Sequence, residues 1–169
     1  MTETTDLPPL PSPERLQALL FEAARGGRDD VIPALLQAGA DLEGRDARGF
    51  TALVLASYND QLSTTALLLD AGAVPDGTGE DRVNTALMGV AFKGYAGIAR
   101  LLLDRGADVN RTNGVGQTAL MMAALFGHMP IVDLLIERGA NVAAIDANGN
   151  TARTVALAQG NVAMAERLG

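Results

Sequence analysis

The sequence contains no cysteine, which excludes disulfides, thiolate metal sites and a cysteine nucleophile while leaving the compartment open. Histidine occurs once, so an imidazole metal cluster has no second ligand of its kind. No apolar run approaches the roughly 18 residues that crossing a bilayer requires. Residues 1–6 carry neither a basic cluster nor a following apolar stretch, so they do not read as a secretory signal. Basic charge is scarce as well: 13 Lys and Arg stand against 20 Asp and Glu, a formal net charge of −7. Binding a nucleic acid rests on cations that displace counterions from phosphates, so DNA and RNA are unfavourable partners. The expectation is a cytoplasmic chain with no membrane partner.

What is abundant is apolar residues, 48% of 169, enough for a continuous core. They recur with a fixed period. The segments Gly39-Ala40-Asp41, Gly72-Ala73, Gly106-Ala107-Asp108 and Gly139-Ala140-Asn141 lie 33 or 34 residues apart. Thr51-Ala52-Leu53, Thr85-Ala86-Leu87, Thr118-Ala119-Leu120 and Thr151-Ala152 keep the same step, as do Gly27, Asp60, Gly94, Gly127 and Gly160. Each period reads as two helices. The threonine hydroxyl can accept a first-turn N–H, a short apolar inner helix follows, and the glycine ends it in the left-handed region. The second helix carries runs such as Ile98, Leu101, Leu102 and Leu103, spaced to bury one face. Polar stretches at residues 108–117 and 141–150 are the turns between units, with Gly116 and Gly149 as turn residues. No unit can bury its own apolar face, so the units must stack.

At these residues the sequence resembles the ankyrin-repeat family, over about residues 14–169. The resemblance implies an all-α solenoid of about five helix-turn-helix units linked by finger-like turns. The outer units are expected to be caps: Ala18 stands where threonine would start the first inner helix, and Arg167 takes the place of Leu101 and Leu134 in the last outer helix. Residues 1–13 are expected to be a disordered, Pro-rich leader, read either as a flexible arm or as a ligand of a proline-binding domain.

Several residues depart from the repeat. Asp60 replaces the turn glycine, and Thr64-Thr65 replaces the apolar pair seen as Ile98-Ala99 and Ile131-Val132, so the second unit is expected to be looser. Val83 sits where Gly49, Gly116 and Gly149 occupy the fingers, and this span is one residue longer than the others, so its turn must differ. Large rings gather at one register. Tyr58, Phe92 with Lys93, and Leu125 with Phe126 fall seven or eight positions after the capping threonine, and Phe50 lies at the base of a finger. These form the candidate partner-binding set, with Met122 on the groove and Arg48 and Arg82 on its rim. Packing between repeats is the alternative role for the rings. Met88 and Met121 are expected to pack, and His128 to bond between turns as in the family.

No nucleophile elbow, phosphate-binding loop or metal cluster is legible, and Asp41, Asp108 and Asp146 recur where turns need them. The resemblance therefore implies a non-enzymatic, monomeric protein-binding module without cofactor. The motifs of residues 86–94 and 117–127 are similar to those of small stand-alone ankyrin proteins of proteobacteria, some associated with catalases and peroxide defence. That likeness makes a catalase a candidate partner, with a haem or small-molecule carrier supplying a catalase as the alternative.

Overall fold

The structure is a computed structural model, and it describes residues 11–78 and 83–169. All of the described regular elements are helical. Ten helices run in chain order as α1 (Pro13–Gly26), α2 (Ile32–Gln37), α3 (Ala52–Tyr58), α4 (Leu62–Asp70), α5 (Ala86–Lys93), α6 (Ala96–Asp104), α7 (Ala119–Leu125), α8 (Met129–Glu137), α9 (Ala152–Ala158) and α10 (Val162–Arg167). They form five units of an inner and an outer helix. Residues 1–10 of the expected leader lie outside the described residues. Ser12 and Pro13 already belong to α1: the Ser12 hydroxyl accepts the Arg15 N–H at 3.2 Å, and Pro13 sits in the first turn, where its missing N–H is no loss. Ala18 lies inside this longer helix rather than at its start.

The threonine period is a row of caps. Thr51, Thr85 and Thr118 each accept the backbone N–H three residues on, at 3.4, 3.3 and 3.3 Å, and Thr151 adds a reciprocal bond with Thr154. Inner helices then stack in order, α1 on α3, α3 on α5, α5 on α7 and α7 on α9, while α6 lies between α4 and α8 outside them. Ala24, Ser57, Ala91 and Ala124 recur at one register of the first four inner helices and are fully buried. Leu20, Leu53, Leu87 and Leu120 form a second buried row, which ends at the exposed Arg153. A polar residue there suits a terminal unit.

The fingers are held by side-chain acceptors. Asp46 Oδ1 accepts the Arg48 and Phe50 N–H groups at 2.9 and 3.0 Å, and Asn113 and Asp146 do the same in their own fingers. A second set ties unit to unit. The N–H groups of Asp41, Val74, Asp108 and Asn141 donate to Gln17, Glu43, Asp76 and Asn110, at 2.8, 2.8, 2.8 and 2.7 Å. On the outer helices, Arg105, Arg138 and Arg167 pair with Asp70, Asp104 and Asp133 of the preceding unit. These exposed pairs add little stability singly. They do neutralise three of the chain's arginines.

The second unit corrects one expectation. Thr64 and Thr65 are fully buried yet satisfied, because Thr65 Oγ1 donates to the Gln61 carbonyl at 2.7 Å and Thr64 Oγ1 to the Asp29 carboxylate. The pair replaces apolar contacts with hydrogen bonds, so it does not leave the unit with two holes. Asp60 is the remaining strain. It takes φ 61°, the left-handed conformation that glycine supplies at the same place in the other units, and it is the only non-glycine with positive φ among the described residues. Asp60→Gly is expected to raise stability by about 0.5–1 kcal/mol. A urea midpoint that stays put or falls would show that the carboxylate contributes there.

Asp76 is the unusual rung. Its Oδ2 accepts the Asp108 N–H, but Oδ1 is buried without a hydrogen-bond partner. Burial is the largest influence on its carboxyl and raises its pKa above the usual range, the Asp108 charge adds to this, and the Asp108 N–H and Arg111 pull the other way. A raised folded-state pKa contributes stability at low pH that is lost as the pH rises through that value. Asn110 does the same job one unit later with a neutral amide. Asp76→Asn should therefore stabilise the fold at neutral pH. The gain should vanish near pH ~3, where the aspartic acid is itself neutral. Chemical denaturation at the two pH values checks both halves.

Candidate functional site

The end of each inner helix sets the concave surface. Arg25, Tyr58, Phe92 and Leu125 occupy the same position, two residues before the residue that turns the chain into the outer helix, and Phe126 stands one residue further along. One-repeat spacing brings the rings together. Tyr58 and Phe92 stack at 6.2 Å between centroids, Phe92 meets Phe126 edge-on at 4.4 Å, and His128 continues the row 6.4 Å beyond. Tyr58, Phe92 and Phe126 nevertheless remain 41%, 38% and 46% exposed. Such contacts add about 0.5–1.5 kcal/mol per pair beyond burial, so the rings hold one another in place while presenting faces to solvent.

The backbone beneath the rings is fixed from the next unit. His128 donates from Nε2 to the Phe92 carbonyl at 3.0 Å, and Gln61 donates to the Arg25 carbonyl at 3.4 Å. The bond expected of His128 between turns is thus present. Lys93, the only lysine in the sequence, lies 5.2 Å from the Tyr58 centroid and 5.7 Å from that of Tyr95. Cation–ring attraction at such an exposed site is worth about 0.5–1 kcal/mol. No carboxylate pairs with Lys93 among the described residues.

Beside Tyr58 the groove deepens into a cavity of about 470 Å³, bordered by Arg25, Arg48, Phe50, Tyr58, Gly89 and Phe92. Arg25 and Arg48 both reach the Asp46 carboxylate, at 3.0 and 3.7 Å, and Arg48 lies 5.2 Å from the Phe50 ring centroid. Burial alone would raise the Asp46 pKa. The N–H groups of Phe50 and Arg48 and the two guanidinium charges outweigh it and hold the carboxyl below its usual range. Asp46 therefore stays ionised at neutral pH and gives one negative charge to two cations.

Gly89 makes the cavity possible. The same position in neighbouring units carries Leu55, Met122 and Val155. A glycine inside a helix costs about 1 kcal/mol relative to alanine, and a Cβ here would approach the Tyr58 ring to 3.3 Å.

The candidate residues named from sequence divide accordingly. Arg48, Phe50, Tyr58 and Phe92 border one cavity, Lys93 stands beside it, and Phe126 ends the ring row. Leu125 is half-buried. Met122, expected on the groove, is instead 8% exposed, packed on the inner helix α7 between α5 and α9. Arg82 lies outside the described residues. Sequence reasoning missed Arg25 and Gly89. Aligning all five units at the Tyr58 and Leu55 positions is the signal that would have found them.

The family model for ankyrin repeats, in three copies, matches residues 20–113 and 87–169. An ankyrin repeat domain-containing protein, SAT10, of Stachybotrys chartarum is 41% identical over 99 residues, 59% of this chain and 5% of that protein. An ankyrin repeat-containing protein of Treponema pallidum is 40% identical over 92 residues, 54% of this chain and 31% of that protein. Ankyrin repeat and SOCS box protein 16 of Mus musculus is 36% identical over 107 residues, covering 59% and 23%. The chain spans less than a third of each of these relatives. With capped helix pairs stacked at the 33-residue period and a family match over most of its length, the chain belongs to the ankyrin-repeat family.

Proposed function

We propose that this chain is a non-catalytic binding module that holds another protein on its concave face, centred on Phe92 and flanked by Tyr58, Phe126 and Lys93. Ankyrin repeats are in general protein-interaction modules, which gives the class. The observation that carries the choice of surface is the unbroken row of half-exposed rings across three units. Rigid aromatic anchors at the centre of a face, with cations at its edge, are the side chains that dominate protein interfaces. A catalase is the first partner to test, on the strength of the resemblance of residues 86–94 and 117–127. The alternative, a haem or small-molecule carrier supplying a catalase, is separated from this reading by Soret absorbance of the purified protein with and without added haem.

Phe92→Ala should weaken partner affinity by about 2 kcal/mol or more, roughly thirtyfold, with the partner first isolated by pull-down and identified by mass spectrometry. Arg48→Ala, at the rim, should cost less. Melting temperature and affinity are read together. Because Phe92 is not a core residue, its truncation should lower stability only modestly compared with the 3–5 kcal/mol of a fully buried ring. Unchanged affinity, or affinity lost only through unfolding, would remove Phe92 from the interface.

A further inference from the structure

We infer that the cavity floored by Gly89 is an anchor pocket for one large aromatic side chain of the partner, carried on a segment whose flanking residues are acidic. The inference rests on the groove being the binding face and specifies what kind of segment fits it.

Three features of the pocket argue this. Its size, about 470 Å³, falls within the roughly 300–1,000 Å³ of sites that enclose a ligand group, and Phe50, Tyr58 and Phe92 supply ring surface around it. Gly89 of α5 lines it at the register where the other units place Glu22, Leu55, Met122 or Val155. The opening is thus specific to the third unit, made at the expense of helix propensity. Its rim is cationic: Arg25 and Arg48 share the single carboxylate of Asp46, and Lys93 stands over Tyr58 with rings for neighbours.

Charge then selects the partner. The chain carries −7 overall, so an acidic segment is repelled by most of the surface. Arg105, Arg138 and Arg167 on the outer helices are already matched to aspartates. Among the described residues, the pocket rim offers an acidic segment more positive than negative charge, Arg25, Arg48 and Lys93 against Asp46. Complementarity of this kind steers encounter and fixes orientation. An aromatic side chain inserted beside Tyr58 would leave its neighbours' carboxylates within reach of Arg48 on one side and Lys93 on the other.

The chain has no tryptophan, so a tryptophan peptide reports its own binding by fluorescence. The probe is a capped pentapeptide with central tryptophan and two acidic residues on either side. Its two controls replace the acids by their amides and the tryptophan by alanine, the latter followed by amide chemical shifts of the protein. Saturable binding of the probe with shifts at Tyr58, Gly89 and Phe92, weakened at least tenfold in each control, supports the inference. Gly89→Met should lose at least tenfold in probe affinity because it fills the pocket, and Gly89→Ala, which sets only a Cβ against the Tyr58 ring, is the control for displacement of that ring. Lys93→Gln should lose less, with the loss disappearing for the amide peptide.

Equal binding of the amide peptide would overturn the acidic preference. Equal binding of the alanine peptide, undiminished affinity in Gly89→Met, or no saturable binding up to about 1 mM would overturn the anchor pocket. So would free indole-3-acetate binding as tightly as the probe, which would make the cavity a small-molecule site. A captured partner that still depends on Phe92 while the probe fails would leave the groove reading standing and the anchor inference wrong. A captured partner indifferent to Phe92 removes the groove reading itself.

Discussion

Close approach of consecutive inner helices is the constraint on which the rest of the molecule depends. Ala24, Ser57, Ala91 and Ala124 are fully buried at the contact, and any larger residue there would push the units apart and open the leucine row beside them. With alanine or serine at this register in the first four units, each inner helix can lie close against the next, and the larger Leu157 appears only in the last unit, where it is exposed. The leucines at 20, 53, 87 and 120 then close into one continuous core. Stability in such a stack is a sum of local unit terms and nearest-neighbour interfaces. The threonine caps and the finger rungs serve those interfaces, since they fix where each helix starts and how far each finger reaches.

The same repetition builds the surface. A side chain at the end of one inner helix stands one inter-helix spacing from its counterpart, so large residues at that position must touch. Tyr58, Phe92 and Phe126 do so, and the backbone of the central ring is pinned from the next unit by the bond from His128 to the Phe92 carbonyl. Pre-ordered rings lose little freedom on binding, which is what makes them useful as anchors. The glycine at position 89 interrupts this regular surface at one point, trading helix propensity for a hollow beside Tyr58. Local rules are commonly broken where a protein meets its ligand.

The fold was legible because the constraints that make it act on single residues at fixed intervals. A capping threonine and a left-handed glycine each have few substitutes, so the period stands out at both. The groove was legible in part. Ring spacing identified Tyr58, Phe92 and Phe126, but depth within the concave face depends on how neighbouring helices cover a position, and Met122 is covered where Phe126 is not. Thr64 and Thr65 looked like lost apolar contacts because sequence shows their polarity and not the acceptors that meet them, the Asp29 carboxylate and the Gln61 carbonyl. Arg25 was passed over because the register was searched for rings, although Gly27 aligns it with Tyr58. Gly89 was hidden because its meaning lies in the side chain it omits.

A partner held against the ring row of the concave face lies within direct reach of Lys93. As the only lysine, it is the one side chain from which an amine-reactive cross-linker can start. Cross-linking the complex with a short reagent and mapping the product by mass spectrometry should join Lys93 to the partner. The product should be lost in Lys93→Arg while the complex still forms. A complex that forms without a cross-link at Lys93, or that yields the same product in Lys93→Arg, would place the interface elsewhere.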